Sequence, residues 1–193
     1  MTDDELRPNL AELQQWENRV AWLYLDSKGN PTIGVGCLIA SVDEYKRLPL
    51  IRSGFGLATD DEKAGDFLRV RAMTAGLPYG KYRGSLILPE PDIDQLGFER
   101  LRNTIAGLRR WFPGFDGYPL PARQGLLDLG WNCGVGSKLP GLGGWIHLQD
   151  ACNTVPPDFT AAAGQCTTTS SREARNAWRV ALFLAAAQAA GAS

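Results

Sequence analysis

The chain has 193 residues, 44% of them hydrophobic and 21% charged, with a formal net charge of −1. These values fit a folded chain with a proper core and exclude a disordered one. Near-neutral charge with no basic patch or aromatic–basic repeat leaves no electrostatic footprint for nucleic acid. No apolar run approaches the roughly 20 residues of a membrane span. The acidic start, Met1-Thr2-Asp3-Asp4-Glu5, lacks the apolar stretch of a secretory signal.

In chain order, Pro8 to Glu17 reads as a helix. Asn9 is its candidate cap with Glu12 three residues on, and Leu10, Leu13 and Glu17 share one face. Val20 to Leu25 is rich in β-branched and aromatic residues, as strands are. Ser27-Lys28-Gly29-Asn30-Pro31 is a turn cluster, and Thr32 to Val35 is a returning strand. Val42 to Arg47 is a short helical candidate. Asp60 to Ala75 is a stronger one, capped by Thr59 or Asp60, with Ala64, Phe67, Leu68 and Met73 as its apolar stripe. Gly76 to Pro91 is rich in Gly, Pro and Tyr and reads as a loop between lobes. Asp92 to Trp111 carries Ile93, Leu96, Leu101, Ile105 and Leu108 at near-helical spacing, ended by Pro113 and Gly114. Ala122 to Cys133 is a core helix, Gly134 to Gly144 a glycine-rich turn, and 171–189 a final helix. The apolar Ala177–Ala190 stretch, interrupted by Arg179 and Gln188, reads as a packed terminal helix rather than an anchor. The expected class is α+β.

Four cysteines and one histidine with no C-x-x-C make a zinc site improbable on sequence grounds, and no metal ligand set is assigned. Cys133 reads as a buried thiol. Cys152 and Cys166 bracket a loop with Pro156 and Pro157. A disulfide there would close about 15 residues and contribute roughly 3 kcal/mol; two reduced thiols are the alternative. His147 reads as a structural or surface residue.

The chemistry concentrates between residues 16 and 36. Glu17 and Asp26 are nine residues apart, which at about 100° per residue would put them on opposite sides of a continuous helix. For both carboxylates to meet one substrate the chain must leave the helix and turn, and the turn cluster supplies this. Asp26 and Thr32 then face each other near a hairpin base, within reach of a shared water. Gly34 and Gly36, without side chains, would let a sugar ring approach the backbone. Two carboxylates and a positioned water are the means of splitting a glycosidic bond. Taken singly, each is ordinary: an acid at a helix end is a solvated charge, Asp26 a turn former, Thr32 a strand residue, and a lone Gly-x-Gly a weak signal. Their joint spacing carries the reading.

Glu17, Tyr24-Leu25-Asp26, Gly29 and Thr32-Ile33-Gly34-Val35-Gly36 together resemble the phage-type lysozyme family, the endolysin muramidases. In that family a Glu ends the first helix, followed by Tyr-x-Asp, a Gly turn and Thr-x-Gly-x-Gly. The run from Gln124 to Gly136 is similar to the family's apolar helix ending in aromatic-Asn-Val-Gly, so the resemblance implies that Asn132 binds saccharide. Ser171 to Arg175, with Trp178 and Phe183, resembles the family's arginine-containing C-terminal helix and makes Arg172 a substrate-contact candidate. The likeness covers residues 12–39 and 122–140, is weaker over 165–185 and loose elsewhere. Cys37 stands where the family often has His, a departure that bears on local stability more than on catalysis. Ser41 to Leu88 is longer than relatives need.

The resemblance implies a lysozyme-like, mostly helical α+β domain over 1–193 with a small N-terminal hairpin. Its approximate lobes are 12–90 and 91–193, around a cleft. Glu17 would be the general acid, with a pKa raised by its surroundings. Trp16 and Trp22 would supply apolar burial and a buried Arg19 would oppose it. Asp26 would stay ionised, stabilise the oxocarbenium-like state and, with Thr32, hold the water. Relatives invert, which requires carboxyls roughly 6.5–9.5 Å apart. Gly34, Gly36, Asn132 and Arg172 are the expected saccharide contacts; no metal or organic cofactor is expected. The expected partners are peptidoglycan glycan strands and, for a secreted toxin, an immunity protein. A monomer, synthesised without a signal peptide and acting at the periplasm or cell wall, fits either a phage endolysin or an antibacterial effector. A catalytically silent glycan-binding module on the same scaffold is the competing class.

Overall fold

The computed structural model describes residues 3–52, 56–169 and 171–191. The chain is α+β, mostly helical with small antiparallel sheets. It divides into two compact units, Met1–Arg100 and Leu101–Ser193. The division falls inside a helix rather than in the Gly76–Pro91 segment, which joins the first unit.

The first unit begins with α1 (Asp3–Leu13), where Leu6, Leu10 and Leu13 are buried. The helix starts earlier than the expected Pro8–Glu17 and contains Pro8. The acidic first turn, Asp3, Asp4 and Glu5, suits a helix N-terminus. The buried leucine face holds the helix together across the hydrogen bond that Pro8 cannot donate. Beyond Leu13 the chain continues as turns, and the Glu17 N–H still donates to the Leu13 carbonyl at 3.0 Å.

Strands β1 (Arg19–Leu25), β2 (Pro31–Val35) and β3 (Cys37–Leu38) form an antiparallel sheet in that order. Arg19 pairs with Val35 and Val20 with Gly34, but Tyr24 pairs with Thr32 and Leu25 with Pro31. Ala21, Trp22 and Leu23 therefore oppose Ile33 alone, a bulge that lets Ala21 offer its carbonyl to the Leu88 N–H at 2.7 Å. Arg19 is tied by Nε to Glu90 at 2.6 Å and by Nη1 to Asp94 at 2.7 Å. The cation thus serves to anchor the strand.

After α2 (Val42–Lys46) come β4 (Ile51–Arg52), β5 (Gly56–Leu57), α3 (Asp60–Arg71) and β6 (Leu86–Ile87), with sheet order β5-β4-β6. Thr59 and Glu62 close a reciprocal capping box on α3. Its buried face is Lys63, Phe67 and Val70, while Leu68 is 64% exposed. The expected stripe of Ala64, Phe67, Leu68 and Met73 is thus rotated. Lys63 can occupy the inner face because its ammonium donates to the carbonyls of Lys46 (2.8 Å) and Leu48 (2.7 Å).

Helix α4 (Glu90–Trp111) runs through the division, and its residues to Arg100 belong to the first unit. The second unit continues with α5 (Leu120–Cys133), α6 (Ile146–Asn153), α7 (Phe159–Ala163) and α8 (Glu173–Gly191). Helices α6 and α7 have no counterpart in the sequence reading, which took the segment between Cys152 and Cys166 as a loop. They are short, and α7 is capped by Asp158 accepting from the Ala161 N–H at 2.8 Å. Helix α5 is buried along most of its length. A Cβ at Gly125 would stand 2.9 Å from the Phe183 ring, so α5 and α8 approach where a side chain is missing. Asp128, 1% exposed, accepts bonds from Arg175 Nη2 at 2.7 Å and from Arg179 Nε.

All four cysteines are free thiols: Cys37, Cys152 and Cys166 buried, Cys133 only partly so. Burial pushes the Cys37 and Cys152 thiols up to about 12 and Cys166 up to about 11, with Cys166 adding to the rise at Cys152. Among the described residues, no group of three or more His, Cys, Asp or Glu is placed to hold a metal ion. No described helix is long and apolar enough to cross a membrane.

Two predictions follow from this packing. Asp128→Ala strands two buried guanidinium groups and should cost about 3–5 kcal/mol, read by denaturant unfolding; a loss under 1 kcal/mol would show that the ion cluster is dispensable. The raised thiols set a pH dependence. In the unfolded chain they ionise from about pH 8.5, but in the folded chain only near their raised values. Their contribution is therefore complete below about pH 8 and lost as pH climbs toward 11 and 12. Thermal unfolding should show Tm falling across that alkaline range, with a shallower slope in Cys152→Ala/Cys166→Ala.

Candidate active site

The carboxylate set lies in the first unit and is built by the ends of one hairpin. At its tip, Asp26 closes the turn. Its Oδ1 accepts from the backbone N–H groups of Lys28 and Asn30, both at 2.8 Å, and its Oδ2 from Asn30 Nδ2 at 2.9 Å. The Asp26 N–H donates to the Asn30 carbonyl at 3.0 Å, and Gly29 takes the left-handed φ of 82° that the turn demands. Asp26 is thus a turn former and a fixed carboxylate at once.

Thr32 is 4% exposed and its Oγ1 donates to the Asn30 carbonyl at 3.0 Å. With that proton committed, the hydroxyl offers lone pairs to a water. Asn30 joins Asp26 to Thr32 through its amide and its carbonyl. The sequence reading noted Asn30 only as a turn residue. The signal lay in its position four residues after Asp26, where an Asx side chain can close a loop.

At the other end of the hairpin, Gly36 carries a φ of 67°. A Cβ placed on it would stand 3.2 Å from Glu17 Oε2 and 3.4 Å from Glu17 Cδ. The Glu17 carboxyl therefore rests against the bare backbone of Gly36, which explains the glycine more directly than a sugar approach does. Gly34 differs. A Cβ there would stand 3.4 Å from Ile93 Cγ2 and 3.8 Å from Leu96 Cδ2. It lies in contact range of α4, and its φ of 67° is the left-handed conformation that favours glycine.

Tyr24 stands in the electrostatic field of both acids. Burial raises its hydroxyl pKa first, and Tyr79, Glu17, Cys37 and Asp26 raise it further. The hydroxyl stays protonated beside the two carboxylates. The sequence reading used Tyr24 as a motif residue and gave it no role. Cys37, after Gly36, is 2% exposed and packs as an apolar thiol.

An aromatic group adjoins these acids. The ring of Tyr79 meets Tyr24 edge-on at 4.8 Å, and its hydroxyl accepts from Asn18 Nδ2 at 3.0 Å. Trp22 Nε1 donates to the Tyr79 carbonyl at 2.9 Å.

The remaining candidates lie in the second unit. Asn132, in the last turn of α5, has its Oδ1 bonded by Ser171 Oγ at 3.3 Å. Ser171 Oγ in turn accepts from Arg179 Nη1 at 3.0 Å. Arg172 is exposed, and its carbonyl accepts from the N–H groups of Arg175 and Asn176 at the start of α8. The arginines that α8 turns inward are Arg175 and Arg179, to which the sequence assigns no partner. Their i, i+4 spacing opposite a lone acid in an apolar helix was the available signal.

In comparison with known proteins, the chain matches no family model and no curated protein sequence.

Gly36→Ala tests the seat of Glu17. The left-handed backbone should cost about 1–2 kcal/mol, and the displaced carboxyl should lower any Glu17-dependent activity by on the order of tenfold or more. Full activity with unchanged Tm would show that the seat is not needed.

Proposed function

We propose that the chain is a peptidoglycan hydrolase, an N-acetylmuramidase that cleaves the β-1,4 bond between N-acetylmuramic acid and N-acetylglucosamine. The observation that carries this reading is the placement of Glu17 against Gly36 on the same hairpin whose turn fixes Asp26 and Thr32. The sequence spacing supports it independently, through the likeness to phage-type lysozymes. In this reading the chain is lysozyme-like. By the same likeness Asn132 and Arg172 are saccharide-binding candidates.

Glu17 gives its proton to the leaving glycosidic oxygen as the bond from the anomeric carbon breaks. Asp26 stabilises the developing oxocarbenium charge. A water that bonds Asp26 and Thr32 adds to the anomeric carbon and passes its proton to the Asp26 carboxylate, leaving Glu17 ionised and Asp26 protonated until both exchange with solvent. Asp26 suits this because its hydrogen bonds hold it as an acceptor in one orientation. The setting is bacterial lysis, as a phage endolysin or as a delivered antibacterial effector with a cognate immunity protein.

A second reading is a catalytically silent glycan-binding module. It is favoured by the extent to which the turn itself uses the Asp26 carboxylate and by the 4% exposure of Thr32.

Muropeptide analysis decides between them. The wild type should release fragments with reducing N-acetylmuramic ends, and Glu17→Gln should release on the order of 10²–10⁴-fold less. Asp26→Asn should lose hydrolysis while keeping glycan binding. A wild type that binds peptidoglycan but releases nothing supports the silent module. Equal release by wild type and Glu17→Gln moves the catalytic acid elsewhere.

A further inference from the structure

The segment that fits the family likeness least, Ser41 to Leu88, contributes a structured wall against Trp22 and Tyr24, and Tyr24 stands in the field of both carboxylates. Its residues Tyr79 to Lys81 form a short 3₁₀ turn after Pro78. That turn is pinned from several sides. Trp22 Nε1 holds the Tyr79 carbonyl at 2.9 Å, Asn18 Nδ2 holds the Tyr79 hydroxyl at 3.0 Å, and the Tyr24 ring meets the Tyr79 ring at 4.8 Å and 75°. Behind it, the Tyr82 hydroxyl donates to the Thr74 carbonyl at 2.6 Å and accepts from the Leu77 N–H at 3.1 Å. Asn18 directly follows Glu17, so the Tyr79 hydroxyl is held by the residue next to the candidate acid.

Despite these ties, Tyr79 remains 39% exposed. A large aromatic ring that is immobilised yet open to solvent is a stacking surface for a sugar, because little side-chain freedom is lost on binding. Its hydroxyl accepts from Asn18 and retains its own proton to donate.

Arg83 completes the surface. Its guanidinium lies 5.0 Å from the centre of the Trp22 ring. The residue is exposed, and among the described residues no carboxylate pairs with it. Arg19, Arg69 and Arg100 in the same unit are each paired with an acid. Arg83 is instead parked on an indole, which fixes its position and leaves its charge for an anion from outside.

We propose that Tyr79 and Arg83, both held by Trp22, form a saccharide subsite beside Glu17 that stacks a sugar ring on Tyr79 and binds an anionic substituent of that strand at Arg83. It rests on the hydrolase reading for the identity of the strand. Glycan strands of peptidoglycan meet both demands, since their muramyl residues bear peptide stems with free carboxylates. A neutral β-1,4-linked N-acetylglucosamine polymer meets only the first.

The test measures binding apart from cleavage, in a Glu17→Gln parent that holds substrate without turnover. The probes are soluble peptidoglycan strands that keep their peptide stems, and neutral chitotetraose. Isothermal titration on Tyr79→Leu should show affinity for both probes lowered about tenfold, while Tyr79→Phe keeps most of it. Arg83→Ala should weaken only the anionic probe, about fivefold, and should reduce the salt dependence of its binding. Arg83 is exposed, so this variant should unfold at the parent's Tm; Tyr79→Phe serves as the folding control for the ring. Unchanged affinities in Tyr79→Leu and Arg83→Ala overturn the subsite, as does a parent that binds neither probe. Hydrolysis of peptidoglycan by the wild type, scored separately, keeps the two ideas distinct. Cleavage with unchanged affinities removes the subsite and retains the hydrolase; weakened affinities without wild-type cleavage do the reverse.

Discussion

The turn bonds at Asp26 are the constraint on which the first unit's site depends. Lys28 and Asn30 donate their backbone N–H groups to one carboxylate oxygen, and the Asn30 amide takes the other. This closes the hairpin at Leu25 and Pro31, which sets Thr32 opposite Tyr24. Two residues further along, β2 reaches Gly34, and just past its end stands Gly36, where Glu17 rests. A carboxylate that holds a turn in this way is fixed in one orientation by its donors.

Close approach is the second organising device. Gly36 admits the Glu17 carboxyl, Gly34 admits Ile93, and Gly125 admits the Phe183 ring. The approach is tightest at Gly125, where a Cβ would stand 2.9 Å from the ring, and loosest at Gly34, where it would make ordinary contact. The second unit adds an ionic core, with Asp128 between Arg175 and Arg179. Such a cluster is weak evidence for net stability, because desolvation opposes the attraction. Its geometric consequence is clearer: Arg179 also holds Ser171, and Ser171 holds Asn132. The orientation of one exposed-edge amide is thus set by a charge network in the helical interior.

The aromatic wall shows how a segment of irregular composition gains a defined structure. Gly76 to Pro91 has little periodicity to declare an element. It is ordered by contacts to Trp22 and Tyr24 of β1 and to Asn18 just before that strand, and by the Tyr82 hydroxyl bridging Thr74 and Leu77. The bulge of β1 contributes, since it places Trp22 off the regular register.

By itself, the sequence determined what local chemistry controls. The hairpin over 20–36, the turn at Gly29, the capping of α3 by Thr59, the apolar positions of α4 and the α+β class were all legible. Turn residues, caps and helical periodicity act over a few neighbours. The candidate set of Glu17, Asp26 and Thr32 was legible through its spacing for the same reason. Other features were decided by tertiary structure. Pro8 sits inside a helix because three leucines bury on one side of it. Lys63 faces inward because two distant carbonyls receive it. Arg175 and Arg179 turn inward because both reach Asp128 on another helix. Each of these depends on a partner many residues away, and a sequence does not display which distant groups will share a low-dielectric interior.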